Sequence, residues 1–194
     1  MKTLVRIFVM LLMLTAFTVE SRGQDFIKLL TEKASHGDAK SQYVLGFSYY
    51  FGRDVAVDYA EALHWLGLSA EQGYAPAYNV LAIAYKEGNG VEQNLAESLR
   101  LFRKSAEQGD ASGQFCLGEY YYDGTAVERD FAEAVKWFAK SAGQGNASGQ
   151  CALGRCYQKG EGVRKSKSKA AEWYRRAALQ GNEEAQRRLK EIEK

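Results

Sequence analysis

From Asp38 onward, apolar and small residues recur at helical rather than strand spacing. Ala39, Gln42, Leu45, Gly46 and Tyr49 fall at steps of three and four, which places them on one side of a helix. Gly52 stops that helix. Asp58 opens a second, whose apolar side carries Ala62, Trp65, Leu66 and Ala70 and which ends at Gly73. Asp58 and Glu61 form a capping box, in which each side chain satisfies a free amide at the helix start. The box recurs as Asn94 with Glu97 and as Asp130 with Glu133. At Ser166 the cap survives, but Lys169 cannot close the box.

The helix pair repeats at a fixed interval of 36 residues. Gly37, Gly73, Gly109, Gly145 and Gly181 mark it, and Leu45, Leu81, Leu117 and Leu153 keep step. So do Tyr49, Tyr85, Tyr121 and Tyr157, and Gln72, Gln108, Gln144 and Gln180. One constant period of this length predicts stacked units, each unable to bury its own apolar stripe. The fold class is therefore all-α: a right-handed α-α superhelix (solenoid) of four 36-residue helix-turn-helix repeats with capping helices. The repeats run 38–73, 74–109, 110–145 and 146–181. Residues 24–37 supply an amino-terminal capping helix, and residues 182–194 a carboxy-terminal one. Small residues at Gly46, Ala82, Gly118 and Gly154 let helices approach closely. Trp65, Trp137 and Trp173 share a column and are expected to be buried between units.

The first 23 residues follow other rules. Lys2 and Arg6 precede an apolar run from Ile7 to Val19, and Glu20, Ser21, Arg22 and Gly23 break it. This is the layout of a signal peptide. Cleavage after Gly23 leaves Gln24 as the new terminus. Cleavage after Ala16 is the rival, and an uncleaved signal anchor the alternative. The run is shorter than the roughly 20 residues of a membrane span. The mature chain is thus expected to be periplasmic or secreted, without a stable span.

Composition sharpens the picture only in places. One proline and 19 glycines suit helices punctuated by turns. Of two histidines, His36 ends a helix, where it suits the dipole, and His64 shares a variable surface column. No His, Cys or carboxylate cluster has metal-ligand spacing, and no cofactor is implied. Gly88-Asn89-Gly90 and Gly160-Glu161-Gly162 lack the strand and the Lys-Ser/Thr of a phosphate loop, so they read as turns. Cys116, Cys151 and Cys156 are odd in number and read as free, partly buried thiols. Residues 24–145 hold 11 bases against 17 acids, and residues 146–194 hold 12 against 6. The basic end, led by Arg164, Lys165, Lys167 and Lys169, reads as a solvated cap. No nucleic acid is expected as partner.

The run Gln42-Tyr43-Val44-Leu45-Gly46, with Tyr49, Gly52, Val55, Asp58, Ala60, Ala62, Trp65 and Ala70, resembles the Sel-one-like repeat of the tetratricopeptide-like superfamily. The third unit matches through Leu117-Gly118, Tyr121, Gly124, Val127, Asp130, Ala132, Ala134, Trp137, Ala142 and Gly145. The second departs at Ala82 and Leu101, the fourth at Ser166, Lys167 and Ser168. The resemblance implies a scaffold or adaptor rather than an enzyme. One cysteine-rich branch, with a disulfide per repeat, is linked to penicillin binding and offers the alternative of a weak hydrolase or β-lactam-binding protein. This chain lacks the two cysteines per unit.

In tetratricopeptide proteins a second face of each first helix lines a concave groove that grips a peptide. The matching columns here carry Lys40, Tyr43, Phe47, Tyr50 and Phe51, then Pro76, Asn79, Ile83, Lys86 and Glu87. They continue with Ser112, Phe115, Glu119, Tyr122 and Asp123, and with Ser148, Cys151, Arg155, Gln158 and Lys159. Aromatics lead, then acids, then bases. A protein or peptide partner is expected there, anchored on Phe47, Tyr50, Phe51 and Tyr122, whose columns are not needed to hold the stack.

Overall fold

The computed structural model describes residues 25–193, so the leader reading at residues 1–23 lies outside it. Among the described residues the chain is all-α. Helix α1 (residues 25–35) precedes α2 (Ala39–Phe51), α3 (Tyr59–Glu71), α4 (Ala75–Glu87), α5 (Leu95–Glu107) and α6 (Ala111–Asp123). Then follow α7 (Phe131–Gly143), α8 (Ala147–Lys159), α9 (Lys167–Leu179) and α10 (Glu183–Ile192). The class is the helix-turn-helix repeat solenoid. Even-numbered helices open the repeats and odd-numbered ones close them.

Eight helices, α2, α3 and α5 to α10, start where a short polar side chain replaces a missing carbonyl. Asp38, Asp110, Asn146 and Asn182 accept the amides of Ser41, Gly113, Gly149 and Ala185 at 2.7–2.8 Å. Asp58, Asn94, Asp130 and Ser166 accept those of Glu61, Glu97, Glu133 and Lys169 at 3.1, 3.0, 2.9 and 3.3 Å. The reciprocal half of the expected capping box is not made. The cap residues' own amides donate instead to the carbonyls of Tyr49, Tyr85, Tyr121 and Tyr157. That bond ties each turn to the preceding helix and leaves the glutamates for other partners. Glu61 accepts from Trp65 Nε1 at 3.0 Å, and Glu133 from Lys136 Nζ at 2.8 Å.

The turns between paired helices need two left-handed residues. Gly52, Gly124 and Gly160 take the first position, with φ of 68°, 75° and 83°. Asp54, Gly90, Ala126 and Gly162 take the second, with φ of 61°, 75°, 54° and 71°. At Gly162 a Cβ would lie 2.1 Å from the Phe131 carbonyl oxygen, so this turn admits glycine alone.

The chain divides into two compact units at Ala77/Tyr78, within α4. In the first, Leu45, Ala62 and Leu66 are fully buried. A Cβ on Gly46 would stand 2.7 Å from Leu66 Cγ, which shows how close α2 and α3 lie. Three polar bonds join this unit: Gln42 Nε2 donates to the Ala34 carbonyl, Gln72 Nε2 to Gln42 Oε1, and Ser69 Oγ to the Ala39 carbonyl. Each buried amide thereby finds a partner, which removes the cost of burying it.

The second unit reuses the same bonds. Gln114, Gln150 and Gln186 donate to the carbonyls of Ala106, Ala142 and Ala178, while Gln144 and Gln180 donate to Gln114 and Gln150. In the second repeat Tyr78 occupies the glutamine column. Phe138 and Tyr174 are fully buried, against Gly118 and Gly154, where a Cβ would come within 2.6 and 2.7 Å of their rings.

The tryptophan column departs from expectation. Trp65, Trp137 and Trp173 are half-buried, and the next residue along, Leu66, Phe102, Phe138 or Tyr174, is the one fully enclosed. The glycine column explains the shift, since it leaves room for one large side chain facing it. The tryptophans lie at the helix edge, where Lys140 and Arg176 cover Trp137 and Trp173 at 3.9 and 4.6 Å. On α10, Ala185 is fully buried against Ala170, Tyr174 and Ala177, with Leu189 and Ile192 packed beside it. Arg187 and Lys190 face water, whereas Arg188 is half-buried and pairs with Glu184.

Candidate partner-binding face

In the first unit the five expected residues sit on α2. Tyr43, Phe47 and Phe51 follow one another along the helix, with ring centroids 5.8 and 4.5 Å apart. Tyr74 extends the line beyond Tyr43 at 5.3 Å, and Tyr59 extends it beyond Tyr50 at 5.3 Å. The Arg53 guanidinium lies 4.9 Å from the Phe47 ring. Phe51 is 46% exposed, Lys40 is exposed, and Tyr43 and Phe47 are half-buried. Tyr50 is only 4% exposed, so it holds the unit together and is not an accessible anchor. Its ring fills the corner between α2 and the start of α3.

In the second unit α4, α6 and α8 present the rest. Ile83, Phe115, Glu119, Arg155 and Gln158 are half-buried, and Lys86, Glu87, Asp123 and Lys159 are exposed. Asn79 and Gln158 serve packing: Asn79 Nδ2 donates to Asp110 at 2.8 Å, and Gln158 accepts from the Tyr174 hydroxyl at 2.7 Å. Tyr122 is 9% exposed and packs on Phe131 and Phe138, so it too belongs to the core. Its hydroxyl donates to Glu161 and accepts from Lys159 Nζ. Arg155 lies over its ring at 4.1 Å and pairs with Glu119 at 2.6 Å.

Burial pushes the Glu119 carboxyl above its usual range, against the opposing pull of Arg155. Burial also pushes the Cys116 thiol up to about 12 and that of Cys156 to about 11. All three cysteines are free, and the Cys116 and Cys156 thiols stay protonated at neutral pH, which leaves little thiolate for nucleophilic chemistry. Among the described residues no group of three or more His, Cys, Asp or Glu is placed to hold a metal.

Two depressions adjoin on this face. One, of about 360 Å³, lies between α4 and α6, with Phe102, Phe115 and Tyr120 lining it and Lys86, Glu87, Glu119 and Asp123 around it. The other, of about 190 Å³, shares Phe115 and Glu119 and adds Arg155, Glu184 and Arg188. Helical-face arithmetic missed Glu161, Thr125 and Arg188. Arg53, Asn89, Thr125 and Glu161 form a variable column just after the first turn residue, and that variability among constant neighbours was the available signal.

The Sel1 repeat model matches residues 39–74, 75–110, 111–146 and 147–182 in unbroken succession. The chain belongs to the Sel1 repeat family. Members are in general protein-interaction scaffolds and typically not enzymes. A Sel1 repeat protein from Oxalobacter formigenes is 32% identical, with a TM-score of 0.79 over 87% of this chain and 67% of its own. A protective antigen of uropathogenic Escherichia coli strains, displaying an SLR fold, is 42% identical, with a TM-score of 0.74 over 80% of this chain. The chain spans about a third of that antigen's length, 33%. Helicobacter pylori cysteine rich protein B shares the fold at 24% identity and a TM-score of 0.51, over 62% of this chain and 91% of its own. No curated protein matches the chain. No helix among the described residues is long and apolar enough to cross a membrane.

Proposed function

We propose that this Sel1 repeat chain is an exported scaffold that binds a protein or peptide through the face carrying Phe47 and Phe51. The carrying observation is the run of stacked rings on α2, ending in Phe51 at 46% exposure. A large apolar ring left in water beside other rings is costly unless something covers it, and aromatic side chains dominate binding energy where a partner desolvates them. Export rests on the signal-like residues 1–23.

The test starts with a pull-down from the native envelope fraction, followed by titration of the purified partner. Changing Phe47 and Phe51 together to alanine is expected to weaken binding by more than about 2 kcal/mol. The Lys165→Glu, Lys167→Glu control is expected to bind normally. Loss of binding in that control, with none in the aromatic pair, would move the site to the basic end and sink this assignment.

A further inference from the structure

The first and last helices finish the stack in different ways. Each closing helix keeps a small, fully buried residue where it meets its opening helix: Ala62, Ser98, Ala134 or Ala170. On α1 that column holds Phe26, 46% exposed, with Leu29 beside it at 49%. On the opening helices the facing column is Gly46, Ala82, Gly118 and Gly154, and on α10 it becomes Lys190. Around Lys190 the outer side of α10 shows Glu183, Gln186, Arg187 and Glu191, all exposed. A stack end left in water needs such a polar face. The outer side of α1 carries apolar side chains instead, which marks it as a contact surface.

We propose that this surface binds a second copy of the chain, α1 against α1 about a two-fold axis. The proposal rests on the export reading, which removes residues 1–23, and is separate from the face at Phe47 and Phe51. A two-fold contact needs a patch that complements itself. Between α1 and α2 lies an open depression of about 710 Å³, with Phe26, Leu29, Leu30 and Val44 as its apolar lining. It has room for the Phe26 and Leu29 side chains of the other copy, so one patch supplies both the knob and the hole. Its charged residues are Glu32, Asp38, Lys33 and Lys40, two of each sign. Two such patches do not repel each other, and Lys33 of one copy meets Glu32 of the other. Head-to-tail stacking is excluded on size. A lone Cβ in the glycine column already comes within 2.6–2.7 Å of the closing helix's side chain, and there Lys190 would confront Phe26.

Sedimentation velocity of the chain purified from its native compartment, over a dilution series from about 100 to 1 µM, tests the pairing. Amino-terminal sequencing of the same sample tests export separately. The mass is expected to be that of two chains at the top of the series and to fall toward one on dilution. Phe26→Asp with Leu29→Asp is expected to weaken pairing at least about tenfold, with helicity by circular dichroism unchanged. Glu32→Lys and Lys33→Glu are each expected to weaken it, and an equal mixture of those two variants to pair again. Phe47→Ala with Phe51→Ala is expected to leave the dimer intact. A one-chain mass at every concentration overturns the inference, whatever else then covers the face. So does a mass that grows beyond two chains, a dimer indifferent to Phe26 and Leu29, or a charge-swapped mixture that stays apart.

Discussion

Phe138 and Trp137 are neighbours on α7 with opposite surroundings. Phe138 is fully enclosed opposite Gly118, while Trp137 lies at the helix edge under the Lys140 ammonium. Phe138→Ala empties a closed site and is expected to cost about 3–5 kcal/mol. Trp137→Ala removes a side chain that already touches water, at about 1 kcal/mol. A urea titration of both variants separates them, and equal losses would contradict the packing described. Size alone misdirects a sequence reader here: tryptophan is the largest apolar residue in the repeat, yet one glycine on the facing helix decides which neighbour is enclosed. Tyr50 and Tyr122 teach the same lesson, because helical-face arithmetic gives a direction and not the depth of the neighbour in that direction.

The caps show what an element inherits from its sequence and what it does not. Asp130 accepts the Glu133 amide at 2.9 Å, but the Glu133 carboxylate turns out to Lys136. Asp130→Ala is therefore expected to cost about 1 kcal/mol. Glu133→Ala loses an exposed ion pair, worth about 0.5 kcal/mol. The two losses should add in a double-mutant cycle monitored by thermal melting; marked coupling would mean that the box closes after all. Helix limits, caps and turn glycines were legible in the sequence because each depends on contacts within a few residues. The reach from Tyr49, Tyr85, Tyr121 and Tyr157 to the next cap was not, because it depends on how the turn folds back. Of the candidate face, the direction of Phe47 and Phe51 on α2 was legible, but the depression between α4 and α6 emerges only when Phe102 and Tyr120 arrive from other columns.

At the scale of the molecule, helix α10 does the work of closure at one end. It covers Tyr174 and Ala177 with Ala185, Leu189 and Ile192. Deleting residues 182–194 exposes that surface. At about 2 kcal/mol for each of the two large apolar side chains removed, Leu189 and Ile192, and roughly 2–4 °C per kcal/mol, Tm is expected to fall by about 8–16 °C, with aggregation above the transition. A truncated chain as soluble and heat-stable as the parent would refute the assignment.

The same helix also carries Asn182 and Gln186, which bond to it and to Ala178 as Asn146 and Gln150 do one repeat earlier. It is built as the opening half of another repeat, complete with the joining chemistry. With a spacing of 36 residues and the same glutamine joint at every repeat but the second, unequal recombination in the gene can add or delete whole repeats in frame without inventing a new junction. Array length is then a trait that drifts and is selected separately from the stability of any single joint, so the number of side chains offered to a partner can change faster than the fold that offers them.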